Sequence, residues 1–249
     1  MKQSRFAAAL FAVALLFFFS SCGNSADEKS TGTDTTAASA DTSTTPVAPA
    51  PVNTIVTTPV TMAVVTHKVK DFAKWLVAYE ADDSARLANG LHNYVIGRGF
   101  LDTSMVLIAL KADDAAKAKA FSKDAHLKAA MQKAGVTGQP QFSVLTTTWQ
   151  DTAVLSTTLR SRTSMSAKDW DAWIKGFEEG RQERIDNGIL DRVIGHDADD
   201  NKKISLVTAV TDTAKAFAYY KSDALKKRRE ASGTIGEPVR FLFNVVKRY

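Results

Sequence analysis

One sequence pattern occurs twice in this chain of 249 residues, at a constant spacing of 98 residues that needs no gap. Matched positions include Asp71 and Asp169, Trp75 and Trp173, Arg86 and Arg184, Asn89-Gly90 and Asn187-Gly188, and Pro140 and Pro238. Chance does not hold that register over so long a stretch, which indicates a tandem duplication. A period near one hundred residues is too long for a solenoid repeat and suits two small domains.

The first residues have the order of a secretory signal. Lys2 and Arg5 precede an apolar run over residues 6–19, too short to span a bilayer comfortably, and Cys22 follows shortly after. The segment resembles a bacterial lipoprotein signal, whose cysteine becomes the lipidated first residue, although Phe19 replaces the usual leucine. We expect a signal peptide over residues 1–21 and lipidation at Cys22. An ordinary signal peptide with an incidental cysteine is the alternative.

Cys22 is also the only cysteine of the chain, which excludes an intrachain disulfide and a cysteine-based metal cluster. Residues 22–60 are rich in Ser, Thr, Ala, Asp and Pro, a composition that buries too little apolar surface to fold. They predict a disordered tether that holds a folded part away from a membrane. Gly23, in place of an aspartate, favours the outer over the inner membrane of a bacterial envelope.

Charge adds little to this assignment. Without Lys2 and Arg5 the chain has 30 basic and 27 acidic side chains, a net charge of +3. The basic run at residues 226–229 is typical of a solvated helix face, and an exported protein is a poor partner for nucleic acid.

Each repeat has the pattern of a small α+β unit. In the first, β-branched runs predict strands, and an apolar face ending at Asn89-Gly90 predicts a helix. The predicted elements are strand 61–69, helix 71–90, strands 92–100 and 105–111, helix 113–134 with a break near 123–124, and strand 141–149; in the second repeat, 154–165, 169–187, 190–196, 203–210, 211–232 and 239–247. The order β-α-β-β-α-β is that of a ferredoxin-like unit, which gives two domains over residues 61–152 and 153–249.

The run DFAKWLVAYEADDSARLANGLHNYVIGR, followed by AHLKAAMQKAGVTGQPQF, resembles the dimeric α/β-barrel superfamily. This superfamily includes the antibiotic-biosynthesis-monooxygenase-like domains, and the resemblance covers both halves of the chain. It implies that two ferredoxin-like units pair their sheets into one barrel. With both units on one chain, the barrel is expected to close within a monomer. The matched residues are typical of a fold and not of a catalytic centre.

Positions that differ between the repeats are the better candidates for a ligand site. Strand 92–100 alternates, and we expect its repeated Val95 and Gly97 to pack under the helices. The opposite face, with its counterpart in the second repeat, would then line the barrel. This predicts a polar, partly cationic cavity for an anionic aromatic or acyl ligand, formed by His92, Tyr94, Arg98, Arg192 and His196. If the facing is inverted, the same residues are surface groups.

Other candidate residues point less clearly to chemistry. His67 matches Met165, so a histidine role there belongs to one half only. Arg86 and Arg184 border an apolar helix face and could hold a carboxylate or phosphate, but an ion pair of Arg86 with Asp83 is favoured. No metal-ligand spacing, Ser-His-Asp pattern, Walker loop or dinucleotide motif is present, so no metal and no cofactor are expected. The resemblance keeps haem open, because some barrel relatives bind it through a histidine.

The sequence therefore predicts a lipid-anchored envelope protein that binds a small molecule in its barrel. One alternative is a cofactor-free monooxygenase or isomerase, which needs few dedicated residues. A second is a protein-interaction module with a filled barrel. The volume inside the barrel is the first property that separates these functions.

Overall fold

The computed structural model describes residues 53–249. The predicted signal peptide, Cys22 and the tether as far as residue 52 lie outside this range. The end of the predicted tether is not a tether: Ile55–Val56 forms strand β1, which pairs with the last two residues of β5 (Val136–Asp151). β5 extends beyond the neighbouring strand over residues 60–69, so the edge of β5 is unpaired at its end, and β1 pairs with that part. No helix within residues 53–249 has the length and apolar character needed to cross a membrane.

Both repeats fold in the predicted order β-α-β-β-α-β, with each predicted helix divided into two. The first contains β2 (Val60–Val69), α1 (Phe72–Ala81), α2 (Asp83–Ala88), β3 (Leu91–Gly99), β4 (Met105–Ala112), α3 (Ala115–Phe121), α4 (Ala125–Lys133) and β5. The second contains β6 (Leu159–Ala167), α5 (Trp170–Glu179), α6 (Arg181–Asp186), β7 (Ile189–Asp197), β8 (Lys203–Val210), α7 (Thr213–Tyr220), α8 (Asp223–Ala231) and β9 (Thr234–Arg248).

The matched arginines explain how the first helix of each repeat tolerates its break. A helix that ends leaves carbonyl groups without intrahelical partners. Arg86 of α2 donates from Nη2 to the carbonyl of Tyr79 in α1 at 2.7 Å, and Arg184 of α6 donates from Nη1 to the carbonyl of Phe177 in α5 at 2.6 Å. Each carbonyl also accepts a longer backbone hydrogen bond, from Asp82 at 3.3 Å or Gly180 at 3.2 Å, so the guanidinium adds a second and shorter one at the break in both halves.

The last strand of the first repeat, β5, begins at Val136, earlier than the predicted residue 141. Pro140, which was expected to precede this strand, lies inside it. Thr66 pairs with Gln141 and Lys68 pairs with Thr137, so the residues between bulge out of the ladder. Proline is tolerated at a bulge because no ladder hydrogen bond is required of it. Gly138, with φ of 72°, supplies the left-handed backbone conformation that the bulge needs.

The strands close into a ring. β5 pairs with β2 on one edge and with β7 on the other, and β9 likewise joins β6 to β3, which gives the order β5-β2-β4-β3-β9-β6-β8-β7 around the ring. The last strand of each half therefore pairs both with a strand of its own half and with a strand of the other half. The predicted barrel within one chain is confirmed, and its closure leaves the strands of the ring without open lateral edges.

The ring has an inner face and an outer face. The helices of each half cover the outer face, where Trp75 and Trp173 are each 2% exposed in the two helix–sheet cores. A separate apolar cluster around Met62, Leu107 and Phe243 fills much of the inner face. Three spaces can therefore be compared: the ring interior and the two grooves between helices and sheet.

Candidate functional site

A β-bulge in β3 overturns the predicted facing of this strand. Asn93 pairs with Leu110 and Val95 pairs with Ala109, so Tyr94 is the extra residue. Tyr94 and Val95 consequently both line the ring interior, and the alternation beyond them is reversed. β7 has the same irregularity, between Asp191 and Val193.

Val95 and Gly97 therefore face inward and not toward the helices, contrary to the prediction. The ring of Phe243 fills the space beside Gly97, where an added Cβ would meet its Cδ2 at 2.2 Å. Ile96, expected to face the interior, packs in the core under the helices instead.

The five predicted site residues consequently do not form one cluster. Tyr94 and Arg192 line the interior. Arg98 and His196 lie on the outer face: the Arg98 guanidinium is 4.9 Å from the Phe72 ring centroid, and the His196 ring is 4.8 Å from that of Trp170. His92 is half exposed, with Nε2 3.0 Å from Asp113 Oδ1. The prediction that Arg98, Arg192 and His196 converge is wrong, because the bulge in β3 turns Arg98 outward and the one in β7 turns His196 outward.

The interior cavity is small. Residues from all eight strands of the ring line it, and its volume is about 90 Å³. This is the space of roughly three water molecules at the density of the liquid. An eight-stranded barrel is wide enough only for its own side chains or one small ligand, and here the side chains take most of the room.

Two arginines of this cavity were not predicted from the sequence. Arg160 and Arg162 of β6 line it together with Arg192 of β7. The difference between the repeats could have indicated them, because Arg160 and Arg162 replace Met62 and Val64 of the first repeat. The predicted site included only residues of β3 and β7.

The larger space is a groove between the helices and the sheet of the first half, which we call the first groove. Its volume is about 480 Å³, whereas the equivalent second groove has about 70 Å³. Larger side chains at two positions close the second groove, since Tyr220 replaces Ser122 and Arg228 replaces Ala130, and at a third the longer Arg240 replaces Phe142. The Arg240 guanidinium lies 3.7 Å from the centroid of the Tyr220 ring, which makes this filling compact.

The lining of the first groove is mostly apolar. The floor comes from the sheet and one wall from α1, while the helices α3 and α4 and the segment joining them supply the other wall and a charged rim. The apolar and aromatic lining residues include Val65, Trp75, Tyr79, Ile108, Leu110, Phe121, Leu127, Met131 and Phe142, and the rim carries Asp82, Lys123, Asp124 and Lys128.

His67 lies at the floor of the first groove. It is 3% exposed, and neither ring nitrogen has a hydrogen-bond partner among residues 53–249. Its ring meets the Trp75 ring edge-on with centroids 5.6 Å apart. Burial lowers the pKa of His67 from 6.5 to about 4, because the charged imidazolium would lose its hydration there. At neutral pH this histidine is therefore uncharged.

A neutral imidazole has the donor chemistry of an axial haem ligand. The surroundings of His67 do not fit that role, because both nitrogens are covered by protein and Trp75 packs against the ring. An iron atom needs a nitrogen that faces open space. The first groove therefore suits an organic molecule that packs above His67. Elsewhere in residues 53–249, no three His, Cys, Asp or Glu side chains are grouped to hold a metal ion.

A polar network borders the first groove. The Tyr79 hydroxyl donates to Asn93 Oδ1, Asn93 Nδ2 donates to Asp83 Oδ1 at 2.6 Å, and Arg86 Nη2 lies 3.2 Å from the same carboxylate oxygen. The predicted Asp83–Arg86 ion pair is confirmed. Burial raises the pKa of Tyr79, so its hydroxyl stays protonated.

In the second half, Asp191 replaces Asn93 and the carboxylate moves from the helix to the strand. Arg184 binds it through two hydrogen bonds, Nε to Oδ1 at 2.8 Å and Nη2 to Oδ2 at 2.6 Å. Both partners are buried, and this tight pair lies beside the closed groove. The two halves thus keep the helix-end arginine but differ in its partner.

No protein-family model and no curated protein matches the sequence. Solved structures match over most of the chain. An anthrone oxidase-like protein has a TM-score of 0.52 at 10% identity, over 78% of this chain and 95% of its own. A provisionally assigned monooxygenase from Fusobacterium nucleatum has a TM-score of 0.50 at 13% identity, over 76% of this chain and 93% of its own.

A provisionally assigned chlorite dismutase has a TM-score of 0.50 at 14% identity, over 76% of this chain and 96% of its own. At such identities the likeness establishes the fold and nothing about activity. The ring of strands and these matches give the same result: the protein has the dimeric α/β-barrel fold, with both of its ferredoxin-like units on one chain.

Proposed function

We propose that the protein binds an apolar, aromatic small molecule in the first groove. The observation that carries the proposal is the difference between two grooves of common origin, about 480 Å³ in the first half and about 70 Å³ in the second. The first volume lies in the range of small-molecule sites, which are concave and largely apolar with a few polar groups. Trp75 and Tyr79 are aromatic lining residues of this groove, and its rim carries two lysines and two aspartates.

Binding without catalysis fits His67 better than an oxygenase does. A general base works best when its pKa lies near the working pH. The pKa of His67 is about 4, and its nitrogens are covered, so it is a weak and poorly placed base. The cofactor-free monooxygenase or isomerase has in its favour only the names of distant structural neighbours, which are 10% and 13% identical to this chain.

Copying the filling of the second groove into the first tests the proposal. Ser122→Tyr combined with Phe142→Arg places the Tyr220–Arg240 stack in the first groove. We expect anilinonaphthalene sulfonate, an aromatic anion used as a fluorescent probe, to bind this double variant at least tenfold more weakly than the wild type, because its space is occupied. Native mass spectrometry should also show the loss of any small molecule that co-purifies with the wild type.

The matched control places the same tyrosine outside the groove. Val77 is 70% exposed on α1 and does not line the first groove, so Val77→Tyr should leave probe affinity unchanged. Equal affinity in the wild type and in the double variant would refute the first groove as the binding site.

We also propose that the protein is a monomer held to the outer membrane of a bacterial envelope by acyl chains on Cys22. The order of residues 1–22 and the tether composition support this location. Cys22→Ser should move the protein from the membrane fraction to the soluble fraction or leave its signal uncleaved, as fractionation and intact mass would show. Membrane association of a correctly cleaved Cys22→Ser protein would contradict lipidation.

The proposed monomer has its own test: the wild-type protein in detergent should sediment as one chain.

A further inference from the structure

The ring interior is a second cavity, chemically unlike the first groove. β2 and β6 stand four places apart in the ring of eight strands and so face each other across the interior. β2 contributes Met62 and Val64 to the cavity, and the matched positions of β6 contribute Arg160 and Arg162. Duplication would have left two equal sides, so the contrast between an apolar side and a cationic side arose by divergence of the two halves.

The cationic side has more positive charge than its surroundings neutralise. Arg192 Nη1 pairs with Asp151 Oδ2 at 2.8 Å. Arg160 is 3% exposed, and its Nη1 donates to the backbone carbonyls of Thr157 and Leu159, each at 2.9 Å, which are uncharged acceptors. Arg248 lines the cavity as well, and within residues 53–249 neither Arg160, Arg162 nor Arg248 has a carboxylate within 4.0 Å, so one acidic group faces four guanidinium groups.

Two further observations show that these charges are held at a cost. Arg162 Nε is buried and has no hydrogen-bond partner within the described residues. Burial, with Arg192 and Arg248 nearby, lowers the pKa of Arg160 to about 10. A buried charge without a partner is costly, and a bound anion would supply both the missing charge and the missing acceptors.

Size and the apolar side limit what the anion can be. The cavity of about 90 Å³ accommodates a molecule of only a few heavy atoms. Its remaining wall is largely hydrocarbon, from Leu107, Leu145, Val207 and Phe243. An inorganic oxyanion would leave this wall without a partner, whereas a carboxylate with a short alkyl tail would contact both sides.

We propose that the ring interior binds a short-chain monocarboxylate, with its carboxylate toward Arg160, Arg162 and Arg192 and its alkyl tail toward Met62 and Val64. A guanidinium can donate two parallel hydrogen bonds to a carboxylate. Arg192 already donates through Nη1 to Asp151 and through Nη2 to the carbonyl of Ala153, so Arg160 and Arg162 would supply the hydrogen bonds and Arg192 would supply charge. This site differs from the first groove in its ligand, in its lining residues and in the half of the chain that supplies the charge. A negative result for one site therefore does not affect the other.

Propionate and propionamide, which have the same shape and differ in charge, form the test. With the full chain at constant ionic strength, propionate should raise the melting temperature in a concentration-dependent way, because a ligand that binds only the folded state stabilises it. Propionamide should not. Arg162→Met should weaken the apparent affinity for propionate at least tenfold, the loss expected for one charge-assisted hydrogen bond. Arg160→Met, which copies Met62, should do the same if Arg162→Met fails to fold.

Arg98→Met is the matched control, since Arg98 lies on the outer face of the ring and should leave propionate affinity unchanged. Equal stabilisation by propionate and propionamide would overturn the proposal, as would wild-type affinity in both interior variants. Tighter binding of phosphate than of propionate would overturn the assignment to a carboxylate, because phosphate makes no use of the apolar side.

Discussion

Replacing Arg184 by methionine should lower the free energy of unfolding by about 3–5 kcal/mol, the usual effect of removing one partner of a buried ion pair. The Arg184 and Asp191 side chains are 6% and 5% exposed, and two hydrogen bonds join them. Without Arg184 the carboxylate stays buried, and its nearest remaining cation is Arg181 at 3.7 Å. The carbonyl of Phe177 loses the shorter of its two hydrogen bonds as well and keeps the one from the Gly180 N–H at 3.2 Å. Urea unfolding followed by circular dichroism measures the change.

The matched substitution in the first half should cost much less, about 1 kcal/mol. Arg86 pairs with Asp83, whose side chain is 43% exposed and can be hydrated when the arginine is gone. Asn93, in the position of Asp191, carries no charge. Equal losses for Arg86→Met and Arg184→Met would show that the helix-end hydrogen bond, and not the buried carboxylate, determines the stability.

His67 should make the fold sensitive to acid. Because burial lowers the pKa of His67 from 6.5 to about 4, the unfolded chain binds a proton in this interval that the folded chain does not. The contribution to stability is therefore fully present above about pH 7, decreases as the pH falls from about 6.5 to about 4, and changes no further below that. The total loss is up to about 3 kcal/mol. Urea unfolding at a series of pH values measures it.

His67→Met, which copies Met165 of the second half, removes the titrating group and should remove this part of the acid sensitivity. At pH 7 the variant should be as stable as the wild type or more stable by about 1 kcal/mol, because it removes two unpartnered buried polar atoms. The difference between the two proteins should grow to about 2–3 kcal/mol near pH 4.5. His126→Gln, at a solvent-exposed histidine, is the control and should follow the wild-type curve.

A difference between wild type and His67→Met that stays constant from pH 7 to pH 4.5 would mean that His67 is not held neutral by burial. Shifted carboxylates such as Asp102 do not obscure this comparison, because they are present in both proteins and cancel in the difference.

The candidate sites were only partly within reach of the sequence. Both proposed sites lie where the sequences of the two halves differ. Ser122 of the first groove corresponds to Tyr220 of the second, and Met62 in the interior corresponds to Arg160. Strand alternation then placed His92, Arg98 and His196 wrongly. The extra residue Tyr94 reverses the facing of Arg98 in β3, and the irregularity between Asp191 and Val193 does the same for His196 in β7. No local sequence pattern predicted either bulge, and His92, which precedes the bulge in β3, is half exposed beside Asp113.

By itself the sequence determined what depends on local periodicity and on the duplication: two βαββαβ units and the order of their strands and helices. The pairing of the units into one barrel was implied by the resemblance to the dimeric α/β-barrel superfamily, and the ring of strands confirms it. The Asp83–Arg86 ion pair also followed from helix geometry alone. Only the tertiary structure decided which faces are inside and how much space remains. Those properties arise from contacts between residues far apart in the chain, such as Tyr220 with Arg240 or Gly97 with Phe243. Side-chain volume at such contacts keeps the first groove open and the second closed, and no single strand or helix contains that information.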